Sequence, residues 1–336
     1  MALGLVATAC GSASPELTQV VEQADGDPTP RDGTPDLPSP GGGGDPLAAA
    51  ARNPKAFVLG STEKTAREGE SAHMSMSFTL TGMPDVGEVS FTVEGASDSD
   101  GNSWFRMDFG SLLEAAGAAA AEDPSVDAAG LEAFAAMFAE PFEVRHVDGV
   151  SYVSASLFSF LFPVDTPWIA IPDDEEASPG VDTMSVDLDP TQFLDLMRGV
   201  GADIEVVGTE TLDGVTTVHL SGTLSMADAL RLATPEERQS LEESFSGFDP
   251  LGTLGSLDDA VFDLDVWIDG DGRLRRFVLG ADDLSRFDPT GQTPPGAGLR
   301  LEFSLGGFGE PVTVEVPPPD QVTSIDDIDP FGLGGG

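Results

Sequence analysis

From Ser71 to Thr81 the chain reads Ser-Ala-His-Met-Ser-Met-Ser-Phe-Thr-Leu-Thr. Ala72, Met74, Met76, Phe78 and Leu80 alternate with polar residues, so a strand here carries its apolar side chains on one face and its polar ones on the other. The same period of two returns at 87–94, where Val89, Phe91 and Val93 carry it, and at 103–109, 142–147, 150–154 and 166–171. It appears again at 204–212, 215–225, 260–268, 274–281, 299–305 and 312–316. Asp148-Gly149 and Asp213-Gly214 stand between such runs and are strong hairpin signals. The pattern predicts a large antiparallel sheet of about ten or eleven strands with one oily face. That face must be covered by helices, by a ligand, or by both.

Helical spacing interrupts the strands in a few places. A short helix is expected at 46–59, although Pro54 breaks it. Ala-rich segments at 112–121 and 126–139 place Leu112, Leu113, Leu131, Phe134, Met137 and Phe138 at helical intervals and are expected to form a lid. Further helices are expected at 191–199, with Phe193, Leu194 and Met197 inward, and at 226–233 and 235–245. Strands with inserted helices make the class α+β.

Charge narrows the partners. Fifty-nine acidic residues against 15 basic ones give a net charge of -44, a field that repels nucleic acid and anionic membrane surfaces alike. The acidity reads first as solvation in a salty or exposed compartment. Cys10 is the one cysteine, so neither an intrachain disulfide nor a cysteine metal cluster can form. Its setting, Leu5-Val6-Ala7-Thr8-Ala9-Cys10-Gly11, has an apolar run and small residues before a Cys, the order of a bacterial lipoprotein processing site. Ala7 stands where Leu or Val is usual, and the preceding segment is short and lacks a basic start, so a longer signal is expected ahead of it. Positions 1–10 are read as that signal segment and 11–46, dense in Pro, Gly, Ser and Asp, as a flexible linker. A folded domain is expected over 47–322 and a flexible tail over 323–336. A lipid-anchored monomer facing the outside of the cytoplasmic membrane follows from this organisation.

Candidate chemistry is sparse. His73, His146 and His219 lie far apart, with no second ligand at metal spacing. Asp269-Gly270-Asp271-Gly272 fails the calcium-loop pattern, because Arg273 and Gly280 fall where ligands are needed, and reads as a hairpin turn. No nucleophile elbow, phosphate loop, dinucleotide fingerprint or metalloprotease motif is present, so the sequence gives no case for an enzyme or for a cofactor. What remains is an apolar inventory suited either to a sealed core or to an adaptable ligand cavity. Its cavity candidates are Met74, Met76, Phe78, Phe91, Phe105, Met107, Phe134, Met137, Phe138, Phe158, Phe160, Phe193, Met197 and Phe262.

Several stretches together resemble the LppX/LprG-type envelope lipoproteins, which share the fold of the LolA lipoprotein carrier. They are Ala7-Thr8-Ala9-Cys10, Ser71-Ala72-His73-Met74, Asp148-Gly149-Val150-Ser151-Tyr152-Val153, 208–218 around Asp213-Gly214, Val266-Trp267-Ile268-Asp269, and 312–318. The likeness runs from about Leu47 to Val322. It implies a strongly curved antiparallel half-barrel closed by helices, whose apolar cavity holds a lipid or lipidated glycan and passes it between membranes. The insert at 112–139 and the acidic loop at 173–182 are longer than that pattern. A cell-surface interaction or sensor lipoprotein with a closed core and no lipid cargo is the alternative.

Overall fold

The computed structural model describes residues 45–68, 71–83, 87–111, 113–114, 117, 141–157, 164–173, 194–235, 238–239, 260–287, 291 and 293–328. In chain order the strands are β1 (Ala72–Met83), β2 (Gly87–Ser97), β3 (Ser103–Asp108), β4 (Phe142–Val147), β5 (Val150–Ser154) and β6 (Trp168–Pro172). The second half adds β7 (Glu205–Leu212), β8 (Val215–Ser225), β9 (Val261–Asp269), β10 (Leu274–Ala281), β11 (Gly298–Gly306) and β12 (Val322–Ser324). They form one curved, open sheet in the order β12-β6-β5-β4-β3-β2-β1-β11-β10-β9-β8-β7. Every pairing is antiparallel except β12 with β6.

Turn chemistry sets the hairpins. Asp148 and Gly149 take φ of 51° and 77°, and Asp213 and Gly214 take 50° and 80°. Positive φ at both central residues is the type I′ geometry whose twist matches the paired strands. Asp269-Gly270-Asp271-Gly272 likewise joins β9 to β10 as a turn.

Two differences from the sequence reading concern the C-terminal end. Residues 312–316 are not a strand. Among the described residues the backbone of this segment joins no ladder of the sheet. It is instead an extended strap, held where Arg145 Nη1 donates to the Glu315 carbonyl at 2.9 Å and Ser71 Oγ to that of Glu310 at 2.6 Å. Residues 323–328, expected in a tail, complete β12 and form a 3-10 turn, with Ile325 and Ile328 against the core. The sheet has twelve strands, against the ten or eleven expected.

Pro54 starts a helix rather than ending one. Asp45 caps α1 (Pro46–Arg52) by accepting from Leu47 N, and Asn53 Oδ1 then accepts from Ala56 N at 3.2 Å. α2 (Pro54–Glu68) follows with Pro54 at its first position, where a missing N–H costs nothing. α2 buries Phe57, Val58, Ser61 and Thr65 against the flank of the sheet made by β7, β9 and β10. Thr65 Oγ1 accepts from Leu274 N at 2.7 Å and pins the helix to the start of β10. α3 (Met226–Leu232) is capped by Ser225. The 3-10 turn Leu196–Gly199 packs between α2 and α3. Gly222 carries no side chain for a steric reason, since a Cβ there would lie 2.6 Å from Ile204 Cα. The chain entering β7 crosses at that point.

Polar groups lock the opposite face. His219 Nδ1 lies 2.9 Å from Glu210 Oε1 and its Nε2 2.8 Å from Asp265 Oδ1, while its ring stacks on Trp267 at 4.4 Å. Trp267 Nε1 donates to Glu210 Oε2 at 2.8 Å, and this bond, aided by His219, outweighs desolvation and holds the Glu210 carboxyl below its ordinary pKa. Asp269, 2% exposed, accepts from Asp271 N, from Arg273 N and Nε, and from Arg275 Nε. Burial pushes its pKa up, but the Arg273 backbone bond and the two guanidinium groups more than offset this, leaving it lowered.

Since the folded-state pKa of Asp269 lies below that of the unfolded chain, its contribution is complete above about pH 4 and vanishes as pH falls through the folded value. Asp269→Asn is expected to cost about 2 kcal/mol at neutral pH, because two half-buried arginines lose their counter-charge. Urea melts should show that loss at pH 7 and a shrinking gap between variant and wild type below pH 4.

Candidate functional site

The register of neighbouring strands lays a continuous apolar row across the sheet. Phe142, Met107, Val93, Met76, Phe303, Phe277, Val266, Leu220 and Val206 are consecutive cross-strand partners from β4 to β7. A second row runs Phe91, Phe78, Leu301, Leu279 and Leu264. This is the oily face that the alternation of β1 predicts.

The two flanks of that face differ. Over β8 to β11 it is sealed, with Leu220, Leu264, Val266 and Phe277 at 0% exposure and Phe262 and Phe303 at 1%. Across β1 to β6 the same face alternates buried with half-buried residues. Met76, Phe78, Val93, Met107, Phe142 and Ile169 are buried, whereas Leu80, Phe91, Phe105, Val144 and Ile171 are half-buried. Among described helices, α1 and α2 pack on the β7 to β10 flank.

The candidates from sequence divide accordingly. Met74, Met76, Phe78, Phe91, Phe105 and Met107 come together on β1, β2 and β3. Phe91 lies between Phe78, stacked at 5.0 Å, and Phe109, tilted at 5.9 Å. Met197 and Phe262 belong to the sealed flank, where Phe262 meets Phe287 at 5.8 Å. Phe134, Met137, Phe138, Phe158, Phe160 and Phe193 lie outside the described residues, as do Cys10, most of the 112–139 insert and most of the acidic loop.

Gly95 shapes the half-sealed flank. It pairs with Phe105, and a Cβ there would come 2.8 Å from the Trp104 carbonyl and collide with the Phe105 ring, so only glycine lets that ring lie across β2. Met74 and Phe105 line a cavity of about 40 Å³ together with Thr65, Leu194, Leu305 and Phe308. This volume is small beside the several hundred Å³ of a typical ligand pocket. Among the described residues no group of His, Cys, Asp and Glu is placed to hold a metal.

Sequence reasoning missed the wet face as a place of interest. Two clefts lie there, of about 540 Å³ and 300 Å³, and both are bordered by Glu94 and Trp104. The signal available was Trp104 itself, an indole at a polar position of the alternation.

Unequal sealing predicts unequal mutational cost. Phe78→Ala, at a buried position, should lose about 3 kcal/mol, and Phe91→Ala about 1.5 kcal/mol, since its ring is already part-solvated. Denaturant titration of both variants would measure the difference.

No family model matches the sequence, and no curated protein does. Among solved structures, the fold is similar to LprF from Mycobacterium bovis at 15% identity, with 82% of this chain and 99% of that one covered and a TM-score of 0.39. LppX of Mycobacterium tuberculosis, a lipoprotein, matches at 16% identity over 77% and 98% with a TM-score of 0.36. A LolA superfamily protein from Nitrosomonas europaea matches at 9% identity over 77% and 96%, TM-score 0.18. LprF and LppX are thus structural neighbours of this chain, with LolA-superfamily proteins beside them.

Proposed function

We propose that this chain is a membrane-tethered lipid-binding protein whose acyl cargo lies against the apolar face of β2 to β4. The observation supporting the reading is the unequal sealing of one continuous face, complete over β8 to β11 and partial at Phe91, Phe105 and Val144. Each methylene transferred from water to such a surface gains about 0.8 kcal/mol. A few turns of acyl chain against rings and thioethers therefore bind without any polar anchor, and Met76 and Met107 repack around chains of different length. Loading and release then follow mass action between a bilayer and the protein, with no covalent step. Neither catalytic chemistry nor a cofactor enters this reading.

The tether is Cys10, acylated at its thiol, with the 34 residues from 11 to 44, ahead of the Asp45 cap of α1, as the spacer. A flexible chain of that length has a root-mean-square reach of about 33 Å. The domain would stand off the outer side of the cytoplasmic membrane while one anchor keeps it near its lipid source. A closed-core surface protein that binds other proteins is the second reading, and the small size of the 40 Å³ space favours it.

Native mass spectrometry of protein purified from its own host separates the two readings: bound lipid supports the first, and empty protein the second. Val144→Trp, which fills the half-sealed flank, should lower retention of pyrene-dodecanoic acid several-fold at unchanged melting temperature. Equal retention at intact stability would count against acyl binding there. Cys10→Ala, expressed with a complete signal, should move the protein from the membrane fraction to the medium, and unchanged fractionation would rule out the anchor.

A further inference from the structure

We propose that the wet face of the sheet carries a separate binding site, centred on Trp104, for a neutral oligosaccharide. It lies on the face opposite the acyl surface and does not depend on that reading.

Register defines the site. Glu143, Arg106, Glu94, Ser75, Ser304 and Arg276 are consecutive wet-face partners from β4 to β10, a row spanning five strand spacings or about 24 Å. Its centre is low, since Ser75 and Ser304 carry only hydroxymethyl groups and Gly306 beside them carries nothing. Trp104 rises at one side. The tip of the β7–β8 hairpin, Leu212 to Val215, borders the other. The two clefts share Glu94 and Trp104 in their walls, and the second is also walled by the strap at Thr313, Val314 and Glu315.

Part of the row is already paired, since Glu143 accepts from Arg145 at 2.7 Å and Arg276 meets Glu302 at 3.2 Å and Ser304 at 3.3 Å, so the spare bonding capacity lies around Trp104. The other two indoles are occupied: Trp168 lies under Arg145 at 4.6 Å, and Trp267 is stacked by His219 and hydrogen-bonded to Glu210. Among the described residues Trp104 has no ring, cation or hydrogen-bond partner for its side chain, and neither His73 nor Arg106 forms a side-chain hydrogen bond or ion pair. Glu94 and Arg106 face each other directly across β2 and β3, yet they are not paired. Opposite charges in register ordinarily close on each other. Here both border the same cleft unpaired with each other and remain available to a ligand.

That combination selects a sugar. A pyranose lays its C–H face on an indole, and its hydroxyls both donate and accept, so they satisfy Glu94 and Arg106 at once. Being uncharged, it escapes the field of a -44 protein, which repels polyanions. An extended peptide is ordinarily captured along a free strand edge. This trough instead runs over the middle of the sheet, where the backbone groups of β1, β2, β3 and β11 are already paired.

The test is titration of the full chain with maltohexaose, mannohexaose and chitohexaose, read by intrinsic tryptophan fluorescence and by calorimetry. One of the three is expected to bind with a shift in emission, and Trp104→Ala to weaken that binding about tenfold. Arg106→Gln and Glu94→Gln, at exposed positions, should each weaken it several-fold at unchanged melting temperature, and they carry the test if Trp104→Ala fails to fold. Absence of binding by all three sugars at millimolar concentration would overturn the proposal. So would wild-type affinity in the Arg106→Gln, Glu94→Gln double variant.

Discussion

The structure depends on one pairing, β1 against β11. All other antiparallel contacts of the sheet join strands that follow each other closely or after an inserted segment, whereas this one brings His73 to Gly306 and Thr81 to Gly298. It converts two half-sheets, β1 to β6 and β7 to β11, into a single surface. Nine strands then share one apolar row, and burial of that row is the main force available to a chain whose charge opposes compaction. Charge repulsion is relieved locally rather than globally. Asp269 between Arg273 and Arg275, and Glu210 between His219 and Trp267, place single acidic groups where cations and N–H donors meet them.

One sheet thereby serves two kinds of surface chemistry. Because the side-chain period is two, every residue that turns toward the oily face obliges its neighbours to turn toward water. Phe105 and Trp104 illustrate the point: adjacent in sequence, the first crosses Gly95 on the apolar side and the second stands over the polar trough. The apolar face and the trough are thus products of the same strands, and a substitution that slips the register of β3 would exchange them.

Much of this was legible in the sequence because it is local. Alternation gave β1 to β11 nearly to the residue, and Asp-Gly pairs gave two of the hairpins with their φ values implied. Asp269 was readable as part of a turn rather than a calcium loop from the failed ligand spacing alone. What could not be read was non-local. Nothing in 72–83 announces that its second partner lies at 298–306, and nothing in Val322-Thr323-Ser324 announces a parallel seat beside Trp168. The cavity candidates mixed two populations for the same reason. Methionine and phenylalanine on alternating strands look alike whether they are sealed, as Phe262 is against Phe287, or half-buried, as Phe91 is. Exposure is a property of the assembled face, and it was the face, not the residue type, that divided them.

The seam between β1 and β11 also has a consequence in time. A strand made near position 72 waits for a partner more than two hundred residues later, so during synthesis one long edge of the first half-sheet has unfilled backbone groups. Loop closure over such a distance is slow, and an open edge of this kind invites other strands. The chain's heavy negative charge then acts before folding is finished: it keeps unfinished copies apart until the penultimate strand arrives to close the gap.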